Sequence, residues 1–270
     1  MLISFGARGP LRHYWFAVAQ STDIQDKAIA VEVLREQIVL WRGPSGKVIA
    51  APNKCTHQAG QLHLGRVIGG RLVCPSHGWT FGDEGRCVRI PRRPEIPEDA
   101  HLVDFSCEER CGLVWVCLGT PSTGIPMEPA DSDPAFRRAT SSLGTWKAPA
   151  PRIIEALLKK PDGQGACSFD IPFTYRRSTH SGDGYQRVQL LTCAPVDATT
   201  SVVSLLVWSN DSTSSDEAPA TEDTAGIALK EEVEAVPGMF ELDETPLDDG
   251  EVTPLTAWRR ALFTAASVTV

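Results

Sequence analysis

No stretch of the 270-residue chain approaches the ~18–20 consecutive apolar residues that a membrane span requires. The opening segment MLISFGARGP has no basic run followed by an apolar core, so it does not read as a secretory signal, and the expected location is the cytoplasm. Positive charge is also in deficit. A formal net charge of −8 argues against nucleic acid as a partner. Residues 211–251 hold 14 acidic residues against the single basic Lys230, a local net of −13 that leaves +5 elsewhere. Such a stretch reads as a solvated, mobile loop. Histidine is scarce: His13, His57, His63, His77, His101 and His180 are all there are, and only His180 follows residue 101. A two-histidine metal site therefore cannot be built from the second half alone. No internal repeat is present.

What is present is ordinary for a globular protein, with 42% apolar and 22% charged residues. Eight cysteines in a chain without an export signal are expected to be reduced thiols or metal ligands. Cys55 and Cys74 stand apart because each has a histidine nearby. Cys87, Cys107, Cys111, Cys117, Cys167 and Cys193 lie mostly in apolar or alternating segments, where buried thiols are the simplest reading.

The first ~120 residues read as short strands joined by turns. His13–Gln20, Ala28–Leu34, Glu36–Arg42, Lys47–Ala51, Arg71–Cys74 and Leu113–Leu118 are strand-like, and Gly43-Pro44-Ser45-Gly46 is a hairpin signal. Phe81–Ile90 suggests a second hairpin turning at Gly82-Asp83-Glu84-Gly85. No helical period longer than two turns appears there. Residues 121–140, with four prolines in PSTGIPMEPADSDPA, read as a linker. Residues 141–270 are mixed: Arg152–Lys160 and Pro254–Ala266 read as helices, and Cys167–Arg176, Tyr185–Cys193 and Thr200–Trp208 as strands. Ser209–Thr224 reads as polar and flexible. The fold class is α+β: an antiparallel all-β domain over 1–120, then a reduced sheet-plus-helix domain over 141–270.

The most informative feature is Cys55-Thr56-His57, then 16 residues, then Cys74-Pro75-Ser76-His77-Gly78-Trp79. Two thiolates and two imidazoles on two loops of a small β domain match a Rieske centre, in which two cysteines hold one iron and two histidines the other. The same donor set also suits a tetrahedral zinc site, but those usually open with two cysteines close together, whereas here each cysteine is paired with a histidine.

At these residues the chain resembles the Rieske non-haem iron oxygenases, in particular their monooxygenase and demethylase branch. Tyr14-Trp15-Phe16 with Ala17-Val18-Ala19 is similar to the family's opening strand, Gly85 to Pro91 (GRCVRIP) to its post-cluster hairpin, and Cys111 to Val116 (CGLVWV) to its closing strand. The resemblance covers about residues 12–120 and implies a [2Fe–2S] cluster on Cys55, His57, Cys74 and His77. Respiratory-chain Rieske proteins carry an extra cysteine in each loop, and Gly60 and Ser76 stand in those neighbourhoods. They also follow the second histidine with Gly-Ser-X-Tyr, where this chain has Gly78-Trp79-Thr80-Phe81. Fewer hydroxyl donors imply a potential at the low end of the Rieske range, roughly −150 mV. Arg86, Arg89, Arg92 and Arg93 follow the second loop and form a candidate basic rim for an acidic electron donor.

Family members also hold a mononuclear iron with Glu-Asn-x-x-Asp-x-x-His-x-x-x-x-His. The segment most like it starts at Glu155. Its Asn position is Ala156, its bridging Asp position Lys159 and its two histidine positions Asp162 and Cys167, while a late carboxylate corresponds loosely to Glu231 or Glu232. Mononuclear iron is therefore expected to be absent. The resemblance then implies an oligomeric electron-transfer component, fed by a reductase or ferredoxin and serving an iron-bearing oxygenase subunit. The alternatives are a self-sufficient oxygenase using Asp162, Cys167, His180 or Glu232, and a scaffold or regulatory subunit without a redox role. His180 reads as a turn residue and His63 as packing or surface. The substrate is not legible.

Overall fold

The computed structural model describes residues 3–159, 165–182, 184–210, 220–242 and 253–267, with side chains of the second helix described from residue 227 onward. Asp162 lies outside these residues, as do 211–219 and 243–251 of the acidic stretch.

Residues 12–123 form one compact unit. It is built of three small antiparallel sheets and short 3-10 turns, as the alternating sequence leads one to expect. The first sheet has the order β1-β10-β9, where β1 is Phe16–Gln20, β9 Ser106–Arg110 and β10 Leu113–Cys117. The second is β2-β3-β4, comprising Ile29–Val33, Glu36–Arg42 and Val48–Pro52. The third is β5-β6-β7-β8, comprising Arg66–Ile68, Arg71–Val73, Thr80–Phe81 and Cys87–Arg89. β3 is apolar on both faces, with Ile38 to Trp41 all fully buried, because it is sandwiched between layers. Val39, Trp41, Leu62, Leu72 and Phe81 form one core with Cys55 and Cys74.

Arg42, at the end of β3, ties these layers together. Its guanidinium makes a two-pronged pair with Glu109 on β9 at 2.8 and 2.9 Å and donates to the carbonyls of Ser21, Ile24 and Gly46. The bond from Arg42 holds the Glu109 carboxyl below its ordinary titration range, against the opposing effect of burial. Arg42→Ala is expected to cost roughly 2–3 kcal/mol, since it orphans a half-buried carboxylate and three carbonyls. Because the native Glu109 titrates lower than the unfolded one, the pair contributes fully above about pH 5 and progressively less as pH falls through the native value. Denaturant midpoints measured from pH 7 to pH 3 should show wild type and Arg42→Ala converging in acid; a constant gap would contradict the pairing.

The second unit is formed by residues 3–11 and the described residues from 124 onward. Against the expected boundaries, residues 3–11 belong with this unit, and Phe5 stacks on Phe173 with ring centroids 6.2 Å apart. The interval 121–140 is not wholly connective either. It contains a 3-10 turn, Pro129–Asp131, and the start of β11, Arg137–Trp146. The sheet has the order β11-β15-β14-β13-β12 and is antiparallel throughout. β12 is Ala166–Asp170, β13 Thr174–His180, β14 Gln186–Pro195 and β15 Ser201–Ser209. The single strand expected over Cys167–Arg176 is therefore two, parted where Pro172 has no N–H to give the ladder. The helix α1, Ala150–Lys159, buries Ile153, Ile154 and Leu158 and packs against β13 and β14. The helix α2, Ala220–Glu234, corrects the expectation of an irregular acidic loop: Ala, Glu, Lys and Leu are good helix formers whatever their charge. The helix α3, Pro254–Ser267, buries Trp258, Leu262 and Ala265, and the Trp258 indole N–H donates to the Pro172 carbonyl at 3.0 Å. No helix among the described residues is long and apolar enough to cross a membrane.

Candidate metal centre

Cys55 and Cys74 sit on two loops closed by the same pair of backbone hydrogen bonds. In the first, Cys55 N–H donates to the Gly60 carbonyl and Ala59 N–H to the Cys55 carbonyl, both at 2.9 Å. In the second, Cys74 N–H donates to the Trp79 carbonyl at 2.8 Å and Gly78 N–H to the Cys74 carbonyl at 3.1 Å. Each turn is completed by a left-handed residue four positions after the cysteine, Ala59 (φ 56°) and Gly78 (φ 72°). That conformation favours glycine, so Ala59 carries the strain that Gly78 avoids.

The loops meet face to face. A β-carbon added to Gly60 would lie 2.5 Å from Ser76 Oγ and 3.5 Å from both Ser76 Cβ and Cys74 Sγ. Gly60 and Ser76 stand in the neighbourhoods where the resemblance to respiratory Rieske proteins puts an extra cysteine, and 3.5 Å is within the Cβ–Cβ range of a disulfide. The double substitution Gly60→Cys/Ser76→Cys should therefore cross-link under mild oxidation, detectable as loss of two titratable thiols and a mass decrease of about two hydrogens. Persistence of both thiols would show that the loops do not meet.

Burial divides the four donors into two pairs. The sulfurs are inside: Cys55 is 5% exposed and Cys74 3%, within hydrogen-bonding reach of each other. Burial pushes the Cys55 thiol up to about 11, partly opposed by the backbone N–H groups of His57 and Gln58 directed at its sulfur, while the neighbouring Cys74 raises it further. The imidazoles are outside. His57 and His77 are exposed, their rings edge-to-face with centroids 4.7 Å apart. His57 also lies flat on the Trp79 indole, 4.8 Å away at 11° between planes. Among the described residues no three His, Cys, Asp or Glu side chains converge as one ion requires. An inner sulfur pair and an outer nitrogen pair suit a two-iron cluster, each iron taking two protein ligands, better than tetrahedral zinc.

Residues around the loops refine this picture. The Thr80 hydroxyl, just after the second loop, donates to the Gly78 carbonyl at 3.1 Å, and Phe81 is fully buried. His63, read from the sequence as packing or surface, is half-buried and paired with buried Asn53. Its backbone N–H donates to Asn53 Oδ1 at 2.9 Å, so the Asn53 amide nitrogen faces His63 Nδ1 at 2.7 Å and closes the first loop at its base. Asn53 and Trp79 were not singled out from the sequence. Their only signal is position, an amide two residues before one cysteine and an aromatic two after one histidine.

The other sequence-selected residues are dispersed. Arg86 pairs with Glu84 at 3.3 Å, whereas Arg89, Arg92 and Arg93 are exposed, on a segment whose Pro91 abuts Gly78. Lys159 is an exposed residue ending α1 and pairs with Glu155, which is buried and also paired with Arg259. Cys167 is half-buried on β12 opposite Arg177, and Glu232 is exposed on α2. His180 ends β13, paired in register with Gln186, rather than occupying the turn expected for it.

Comparison with known proteins agrees with this geometry. Residues 14–100 match the Rieske [2Fe-2S] domain. The chain is 36% identical over 155 residues to methylxanthine N1-demethylase NdmA of Pseudomonas putida, a match covering 54% of this chain and 44% of that protein. It is 33% identical over 122 residues to the toluene-4-sulfonate monooxygenase system iron-sulfur subunit of Comamonas testosteroni, covering 45% of this chain and 35% of that one. The sequence matches thus span less than half the length of these relatives. In structure, the Pseudomonas putida NdmA mutant with theobromine superposes with a TM-score of 0.79 at 25% identity, over 95% of this chain and 91% of that one. Apo dicamba monooxygenase shares the fold, with a TM-score of 0.75 at 17% identity, over 95% and 97% of the two chains. The chain carries a Rieske [2Fe–2S] domain and is a relative of the Rieske non-haem iron oxygenases.

Proposed function

We propose that this chain is the electron-transfer component of a multicomponent oxygenase, accepting electrons from a reductase or ferredoxin and passing them to catalytic iron in a partner subunit. The observation that carries this reading is the pairing of buried thiols with exposed imidazoles on two adjoining loops of the first unit, in a chain with a single histidine after residue 101. Cys55 and Cys74 would hold one iron inside the core, and His57 and His77 the other at the surface. The cluster supplies one-electron storage when bound. The protein's own contribution is to exclude water from the sulfur side, to brace His57 on Trp79, and to leave the imidazole side open to a partner. Each imidazole keeps one ring nitrogen for a proton, which couples electron transfer to pH. The exposed Arg89, Arg92 and Arg93 beside the second loop would face an acidic donor.

The match over 91% of the NdmA chain favours a second reading, a self-sufficient oxygenase whose mononuclear iron uses atypical ligands. The two readings separate on iron content and turnover. The relay is expected to hold about two irons and two sulfides per chain and to oxidise no substrate until an iron-bearing partner is added. A third iron with partner-independent oxygen consumption would decide for the second reading.

A further inference from the structure

Asp and Glu are absent from residues 37–82, in a chain whose net charge is −8. The stretch includes both cluster loops and three of the four strands of the third sheet, and its surface is cationic. Register shows where that charge is displayed. Leu72 on β6 faces Phe81 on β7, and both are fully buried, so they mark the inner face of the sheet. Arg66, Val73, Thr80 and Arg89 are successive cross-strand partners on the other face; Thr80 is buried and the β7–β8 register is irregular beside it, so the exposed part of that face is on β5 and β6, with Arg89 at the far edge. Ile68 and Arg71 are the neighbouring pair on that face. Arg66, Arg71 and Arg89 are exposed, and no carboxylate pairs with them among the described residues. Ile68 is 58% exposed between them, and Leu64, just before β5, is 63% exposed.

An exposed apolar centre rimmed by unpaired arginines is the make-up of a protein-docking face. The geometry points to the outer face of β5–β8 as the docking surface for an acidic electron-donor protein, centred on Ile68 and steered by Arg66, Arg71 and Arg89. This deepens the relay reading and rests on it. It extends the surface beyond the arginines after the second loop to β5 and β6, and leaves out Arg86, which is already paired with Glu84. The position suits electron entry because β6 runs directly into Cys74. In the docked pair the donor is oxidised by one electron and the iron pair held by the chain is reduced by one; no covalent bond is made or broken.

The test uses the full chain with its cluster and a dithionite-reduced plant-type [2Fe–2S] ferredoxin as the acidic probe, with second-order reduction rates followed by stopped flow from about 0.02 to 0.5 M NaCl. Wild type should slow steeply with salt. Arg66→Glu/Arg71→Glu should be at least about tenfold slower at low salt and nearly salt-independent, whereas Arg86→Glu should stay within about twofold of wild type. Ile68→Ser should slow the reaction at all salt concentrations. Midpoint potentials should be the same in every variant, showing that the centre itself is unchanged. A wild-type rate in the double charge reversal, or a salt-independent wild-type rate, overturns the docking face. Self-association of the chain that the charge reversal abolishes, with the ferredoxin rate unchanged, also overturns it by giving the face to a second copy. Failure of dithionite to reduce the wild-type chain would instead strike the relay reading.

Discussion

Cys74→Ser should strip the iron from this protein, taking it from about two irons per chain to a trace and abolishing the reduced-state EPR signal. The hydroxyl of serine keeps its proton at neutral pH and is a poor ligand where a thiolate is required. The loss should extend beyond the metal. Cys74 closes its own loop through backbone bonds to Trp79 and Gly78 and shares the buried core with Cys55, Leu62 and Leu72. A cluster bridging the loops at residues 55 and 74 ties together segments that otherwise meet through side-chain contacts such as that of His57 with His77. Metal binding of this kind is folding free energy, so the variant should lose at least about 4 kcal/mol relative to the loaded protein. Iron and sulfide analysis together with denaturant unfolding measures both effects. A Cys74→Ser protein that retained its iron and its midpoint would remove the ligand assignment. A colourless wild type loaded with zinc would remove the cluster.

His57→Cys/His77→Cys should keep a cluster but lower its midpoint potential by about 250 mV, from the oxygenase-type Rieske range near −150 mV toward the roughly −400 mV of four-cysteine plant-type centres. For one electron that shift is roughly 6 kcal/mol. The cause is charge. Two neutral imidazoles are replaced by two thiolates, and the oxidised state is favoured by the added negative charge. The exposure of His57 and His77 makes the exchange sterically feasible, because neither ring fills the core. The variant should also lose the pH dependence of its potential near neutrality, since no imidazole remains to hold a proton. A potential unchanged by the double exchange would show that these histidines do not ligate the outer iron. Protein-film voltammetry across pH 6–9 reads both quantities.

Much of the first unit was legible because its periodicities are short and its punctuation strong. Glu36–Arg42 is a strand within the same bounds that its apolar run suggests, and the Gly43–Gly46 turn joins it to β4. The two cysteine–histidine pairs were legible for a chemical reason: ligand type and spacing survive in sequence whatever surrounds them. In the second unit the strands β14 and β15 and the helix α3 are legible to within a few residues, while β12 and β13 read as one run because the β-rich residues on either side of Pro172 outweigh the single proline that parts them. The helix in the acidic segment is masked in the sequence because its charge density points to a solvated loop while its Ala, Glu, Lys and Leu content points to a helix.

The residue types thus determined that two thiols and two imidazoles are available, that two small loops present them, and that histidine is nearly lacking downstream. Only the tertiary structure decided that the sulfurs lie inside and the rings outside, that Gly60 meets Ser76, that Asn53 closes the first loop on His63, and that Arg66, Ile68, Arg71 and Arg89 share a face. Those facts depend on strand register and on contacts between segments distant in the chain. A one-residue slip of β6 against β7 would exchange its inner and outer faces while leaving every local propensity unchanged.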